Sequence, residues 1–170
     1  MGEGGVGMFI HCKFSYEVLS LDSSVIPGVY ESMWVKIEVS KGKHKIIGNV
    51  NRPNSAPLAD LSRAISNHKL IIECLKANKN HKNCEIQVLS DFNVNLLNFA
   101  QHDQTNTYLE SMFSLGLLPV ITRPTRIHQT SATLIDHIFV SNKLKRYIAG
   151  IIISSLSDHS PTFYIEECIT

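Results

Sequence analysis

An α+β fold with strands in the majority is what this sequence predicts, and three observations predict it. Apolar and polar residues alternate with period two in several stretches, most clearly in MWVKIEV, where Trp34, Lys36 and Glu38 fall on one side and Val35, Ile37 and Val39 on the other. Two stretches have helical spacing, and they interrupt the strands without the regular alternation of a βαβ repeat. At 170 residues and 44% apolar content, the chain is the size of one domain spanning 1–170, with enough material for a core. No internal repeat or low-complexity tract divides it.

The elements follow in chain order. GVGMFIH reads as a first strand, although no turn or cap precedes it, and extended segments follow at about 16–19, 33–39 and 44–50. KGKHK supplies the turn into the last of these, with Lys41, Lys43 and Lys45 as a solvated hairpin tip. The clearest helix opens with Ser55 as cap, Pro57 in the first turn and Asp60 complementing the dipole. Leu58, Leu61, Ile65, His68, Ile72 and Leu75 form its apolar face. His68 on that face reads as a hydrogen-bonded core histidine and not as a ligand. A strand then ends at SDFN. A second helix fits 107–115, with Thr107 and Glu110 as a capping box and Gly116 as the stop. LLPVITRPTRI is extended, SATLIDHIFVS is a strand with Asp136 in its apolar middle, and YIAGIIISS and TFYIEE are the last two strands, flanking SDHS.

Composition narrows the function classes. The net charge is +1, so no global field draws the chain to nucleic acid or to an anionic membrane, and any such contact is local. Arg123, Arg126, Lys143, Lys145 and Arg146 read first as solvated loop charges, with a patch for a nucleic-acid backbone as the alternative. Cys12, Cys74, Cys84 and Cys168 are far apart and form no C-x-x-C, which favours a reducing, intracellular setting, nuclear or cytoplasmic. His81 with Cys74 and Cys84 has no zinc spacing. The first residues lack a signal-peptide plan, Val6 stands where a myristoylation motif needs Ser or Thr, and the apolar run at 148–153 is too short for a bilayer. No membrane association and no small-molecule cofactor are expected.

Three polar clusters mark strand ends or interruptions: Asp91 with Asn93, Asp136, and Asp158 with His159. In extended chain Asp91 and Asn93 project to the same side. The same pair is an ordinary way to stop a strand. Asp136 among Leu134, Ile135, Ile138 and Phe139 is costly without a partner, and His159 is the natural one, since a carboxylate accepting an imidazole N–H sets its tautomer and raises its basicity. Asp158, next to it, would point the opposite way and could hold a hard divalent cation. Together these groups suit metal-assisted attack of water on a phosphodiester.

SDFNVNLL, TRPTRIHQTSATLIDHIFVS and SDHSPTFYI, in that order, resemble the endonuclease/exonuclease/phosphatase superfamily, and more narrowly the endonuclease domain of non-LTR retrotransposons. GEGGVGMFI, ESMWVKIEV and IIGNVNRPNSAP are similar to its middle strands, so the resemblance covers almost the whole chain. It implies a four-layer α/β-sandwich, two mixed β-sheets between helices. It further implies that Asp91 activates or orients the attacking water, that Asn93 fixes Asp91 and contacts the scissile phosphate, and that Asp136 and His159 bind the phosphate and support transition-state charge. Asp158 resembles a ligand of Mg2+, for which Mn2+ could substitute, and Asn54 in RPNS resembles a residue lining the phosphate pocket. The implied partner is double-stranded DNA.

The departures are specific. Family members begin with a strand, a helix and a strand bearing a metal-binding glutamate, and Met1 falls after all of these, so a partial domain is expected, missing the first strands and helix, with an upstream segment or a fused reverse transcriptase in the parent element. Glu3 and Glu17 do not sit in that glutamate's context. Asn51 stands where the family usually has a tyrosine, and Ser90 where glycine is common. The expected activity is metal-dependent DNA nicking, and the alternative is an inactive transposon-derived remnant that binds nucleic acid weakly at most.

Overall fold

The computed structural model describes residues 5–21, 24–141 and 146–167. Alternating residues on either side of Gly42 build its longest hairpin, β3 (Tyr30–Ser40) with β4 (Lys43–Asn51), flanked on the outer side by β1 (Tyr16–Leu19) and β2 (Val25–Ile26). From β4 the chain crosses over through α1 (Leu61–Ala77) to β5 (Glu85–Asp91), which lies parallel to β4. After α2 (Asp103–Ser114) come the short β6 (Leu118–Pro119), a small hairpin of β7 (Arg126–His128) and β8 (Ser131–Thr133), and β9 (Asp136–Val140). The central sheet has seven strands, ordered β1-β3-β4-β5-β9-β6 with β2 on β3. Finally β10 (Tyr147–Ile151) and β11 (Thr162–Glu166) pair antiparallel as a separate sheet.

Both faces of the central sheet are covered, so the side-to-side alternation of MWVKIEV does not translate into one wet face. Trp34 and Val35, neighbours that point oppositely, are each 1% exposed. On one face α1 lays His68 against the rings of Tyr30, Trp34 and Phe92. Tyr108 of α2 stacks on Phe92 at 4.5 Å between ring centroids and meets Phe139 edge-on. Gly48 is required here, because a Cβ at that position would lie 2.5 Å from the Trp34 ring. On the other face Ala149, Ile151 and Tyr164 of the two-stranded sheet pack against the core. Beside them a cleft of about 570 Å³ is floored by Ile37, Ile47, Leu89 and Ile138 and walled by residues 7–11 and β11. Helices, central sheet and second sheet make three of the sandwich layers among the described residues.

His68 is the buried, bonded histidine expected, with Nδ1 2.9 Å from the Tyr30 hydroxyl, and burial pushes its imidazole down to about 3. Several local expectations change. GVGMFIH is not a strand; residues 5–11 run unpaired beside the cleft, where the Asn49 amide donates to the Gly7 carbonyl. Ser55 does not cap α1, because a 3-10 turn at Leu58–Asp60 follows Pro57 and the α-helix starts after Asp60. The tighter turn leaves Leu58 60% exposed. The second helix begins one turn earlier than the Thr107 capping box predicts, and Thr107 Oγ1 donates instead to the Asp103 carbonyl. Gly116 does terminate it, with φ +67. Lys45 is no hairpin tip: it pairs with Glu85 at 3.6 Å and with Glu166 of β11, tying the two sheets. SATLIDHIFVS splits into β8 and β9, and Asp136 begins β9. No helix among the described residues is long and apolar enough to cross a membrane.

Candidate active site

β5 and β9 are antiparallel, with Asp91 directly opposite Asp136. Like charges at directly opposed positions destabilise a sheet. The strand register therefore holds together two groups that folding alone would keep apart. The pleat places both on the face of Leu89 and Ile138, toward the second sheet. His159 enters from the segment leading into β11, and its Nδ1 lies 3.2 and 3.1 Å from the two Asp136 oxygens and 4.0 Å from Asp91 Oδ2. The partnership of Asp136 with His159 is thus formed, with Asp91 at its side.

Each of the three is held by the backbone around it. Asp91 Oδ1 accepts the Asn93 N–H at 3.2 Å, and the Asp91 carbonyl accepts the Arg52 N–H at 2.8 Å. Asn93 does not continue the strand: its φ is 52, in the left-handed region, and its side-chain amide donates to the Arg52 carbonyl at 2.8 Å. Asp91 and Asn93 are therefore joined by a turn and not by a shared strand face. Burial raises the Asp91 carboxyl above its usual value and the Asp136 charge adds to the rise, while His159, the Asn93 N–H and Arg126 oppose it.

Asp158 is not part of this group. Its carboxylate, pointing away as expected, accepts Arg126 Nε at 2.7 Å, and that bond holds it below the usual carboxylate range. Arg126 is thereby tied to a carboxylate, while Arg123 and Arg146 are exposed and Lys143 and Lys145 lie outside the described residues. Asn54 sits in the exposed turn after Pro53 and adds no side chain to the cluster. Asn51 is the β4 partner of Asp91 in the parallel register.

Two positioning residues escaped the sequence reading. Thr125, fully buried, accepts the Ile135 and Asp136 N–H groups on Oγ1 at 3.2 and 3.1 Å, and its carbonyl accepts the Ser160 N–H at 2.6 Å. One threonine thus fixes the backbone beside Asp136 and beside His159. Arg52, 4% exposed, donates Nη2 to the Ala56 and Pro57 carbonyls at 3.1 Å each and pins the loop behind Asp91. The available signal was an arginine directly after an alternating strand and before proline, in NVNRP.

One ligand atom from each of Asp91, Asp136 and His159 lies within 4.8 Å of the others. Mg2+ needs few protein ligands, one or two carboxylates completed by water and phosphate oxygens. Asp91 and Asp136 fit that donor set, and a cation between them would offset the charge of two carboxylates that face each other across β5 and β9. Asp158, engaged by Arg126, does not fit the ligand role expected of it.

No protein-family model and no curated protein matches the chain. Solved structures do. The endonuclease domain of TRAS1, a telomere-specific non-LTR retrotransposon, superposes with a TM-score of 0.63 at 12% identity, over 88% of this chain and 66% of that one. Beta toxin from Staphylococcus aureus, in a crystal structure of a mutant with bound magnesium ions, gives 0.58 at 16% identity over 80% of this chain and 57% of the toxin. An endonuclease/exonuclease/phosphatase family protein from Bacteroides thetaiotaomicron gives 0.52 at 18% identity over 77% and 54%. The chain has the fold of these proteins and spans little more than half the length of most of them.

Proposed function

We propose that this chain is a Mg2+-dependent phosphodiester hydrolase that nicks double-stranded DNA, of the kind carried by retrotransposon-like elements. The observation that carries the proposal is the convergence of Asp91, Asp136 and His159 at adjoining ends of β5 and β9. Asp136 accepts the His159 Nδ1–H, which holds the ring and turns Nε2 outward to a phosphate oxygen. There the ring supports, through hydrogen bonding, the charge that develops as the phosphorus is attacked. Asp91 orients the attacking water and takes its proton, a task that suits a carboxyl raised by burial. Asn93 keeps Asp91 in place through its N–H, and Asn54, in the turn beside Arg52, would lie along the phosphate path. Bound at Asp91 and Asp136, the metal would supply Lewis-acid neutralisation of the phosphate. Likeness in fold to a retrotransposon endonuclease domain supports the choice of DNA.

The test is conversion of supercoiled plasmid to open circles by the purified chain in Mg2+ or Mn2+. Nicking should stop with EDTA and fall about 10²–10⁴-fold in His159→Ala, the usual weight of a positioned acid–base group. A folded wild-type chain that leaves the plasmid intact in both metals would refute the proposal.

A further inference from the structure

The second sheet stops at β11. Beyond the strand ends, the Ile152 N–H donates to the Pro161 carbonyl at 2.8 Å and the Glu167 N–H to the Arg146 carbonyl at 3.1 Å, continuing the antiparallel register of β10 with β11. In such a ladder alternate residues bond to the partner, and those between them turn their N–H and C=O the other way. Stepping by two from Pro161 and from Glu167, Phe163 and Ile165 bond to β10, while Thr162 and Tyr164 present their backbone groups to the opposite edge. No strand pairs with that edge among the described residues. Thr162 and Tyr164 line the cleft.

The width of the cleft is set by the sheet beneath it. β11 packs over β9, and on the far wall residues 7–11 lie over β4, where the Asn49 amide bonds the Gly7 carbonyl at 2.8 Å. β5 runs between β9 and β4. At about 4.8 Å per strand the walls stand about 10 Å apart, which leaves the width of one extended strand above β5. The far wall belongs to no strand either. Ile47, Leu89 and Ile138 make an apolar floor, and no Asp, Glu, Lys or Arg lines the cleft among the described residues. A charged ligand finds no counter-ion there, whereas an extended peptide finds a ladder edge at its side and an apolar bed for alternate side chains. Solved structures of this fold carry polypeptide beyond what this chain matches, since it covers 66%, 57% and 54% of the three described above.

We propose that the cleft binds an extended polypeptide segment, apolar at alternate positions, which adds to β11 as a strand through the N–H and C=O groups of Thr162 and Tyr164. β5 ends at Asp91, two residues past Leu89, so the added strand would run to within about 7 Å of the candidate site. The proposal does not depend on what that site hydrolyses.

The probe is a labelled synthetic peptide of about eight residues, valine alternating with threonine and a lysine at each end. It is added to the whole chain, with binding read by anisotropy and amide exchange by NMR. In the chain alone the Thr162 and Tyr164 amides should exchange at least about tenfold faster than those of Phe163 and Ile165, and saturating peptide should remove the difference. The same peptide N-methylated at alternate residues keeps its side chains and loses the ladder, so it should bind at least about tenfold more weakly. No binding, equal binding of the methylated peptide, or binding that leaves the two amides fast would overturn the proposal. Slow Thr162 and Tyr164 exchange in the chain alone would overturn it too, and would assign the edge to a second copy if the protection grows with protein concentration and to residues 5–11 if it does not.

Discussion

The two faces of β5 and β9 put the same residue types to opposite uses. Asp136 and His137 are consecutive, as are Ser90 and Asp91, and the pleat sends one of each pair toward the helices and the other toward the second sheet. On the helix side His137 is 1% exposed, donates Nε2–H to the Val94 and Leu134 carbonyls at 3.0 and 3.1 Å, and is pushed down to about 4 by burial. Facing the other way, Asp136 and His159 are bonded to each other within reach of solvent. An imidazole sealed among carbonyls has no proton to exchange near neutrality. Whether a histidine is sealed in the core or left within reach of solvent is decided by the face that receives it.

The contrast breaks first at His68. Truncation to alanine would leave a cavity among Tyr30, Trp34 and Phe92 and remove the bond to the Tyr30 hydroxyl. His68→Ala should cost about 3 kcal/mol, read as a lower urea midpoint at constant m. A change near zero would mean that the helix-side histidines are not packing residues.

Acid sharpens the comparison further. His68 and His137, at about 3 and about 4 in the folded chain against an ordinary 6.5, stay neutral where the unfolded chain takes up protons. Their contribution is complete above pH 6.5 and is lost as pH falls toward the folded values, with a slope approaching roughly 2.7 kcal/mol per pH unit for the two together. Urea midpoints measured from pH 7 down to 4 should fall accordingly, and a flat profile would contradict the neutral, buried assignment.

The smallest effect lies on the site face and has the opposite sign. A carboxyl raised in the folded state costs stability while charged, and the cost is relieved as pH falls through that raised value. Asp91→Asn should therefore stabilise the chain at neutral pH by roughly 0.2–1 kcal/mol, the scale of a cross-strand charge pair, while ending nicking. Thermal melts at pH 7 and pH 4 decide it: the gain should shrink at the lower pH. A lower melting temperature at pH 7 would show that Asp91 is held by bonds stronger than the repulsion it suffers.

Much of the site was legible because its chemistry is local in type. A carboxylate in LIDHIF is too costly to leave unpaired, and that alone asked for His159. Asp158 shows the complementary limit: an acidic residue beside a histidine looks like a ligand until its neighbour across the chain is known, and that neighbour, Arg126, is 32 residues away. Thr125 stayed invisible because a threonine acting through backbone N–H groups leaves no pattern in the sequence. Lys45 looked like a hairpin charge because nothing local announces Glu166.

By itself the sequence determined the α+β class, the central strands, the core role of His68 and the pairing of Asp136 with His159, since alternation, helical spacing and the cost of an unpaired charge act over a few residues or on one residue type. Tertiary structure alone decided where the helices start, that GVGMFIH stays unpaired, that Asp91 faces Asp136 and that Asp158 turns to Arg126. These depend on strand register and on partners distant in the chain, and no local pattern encodes a register.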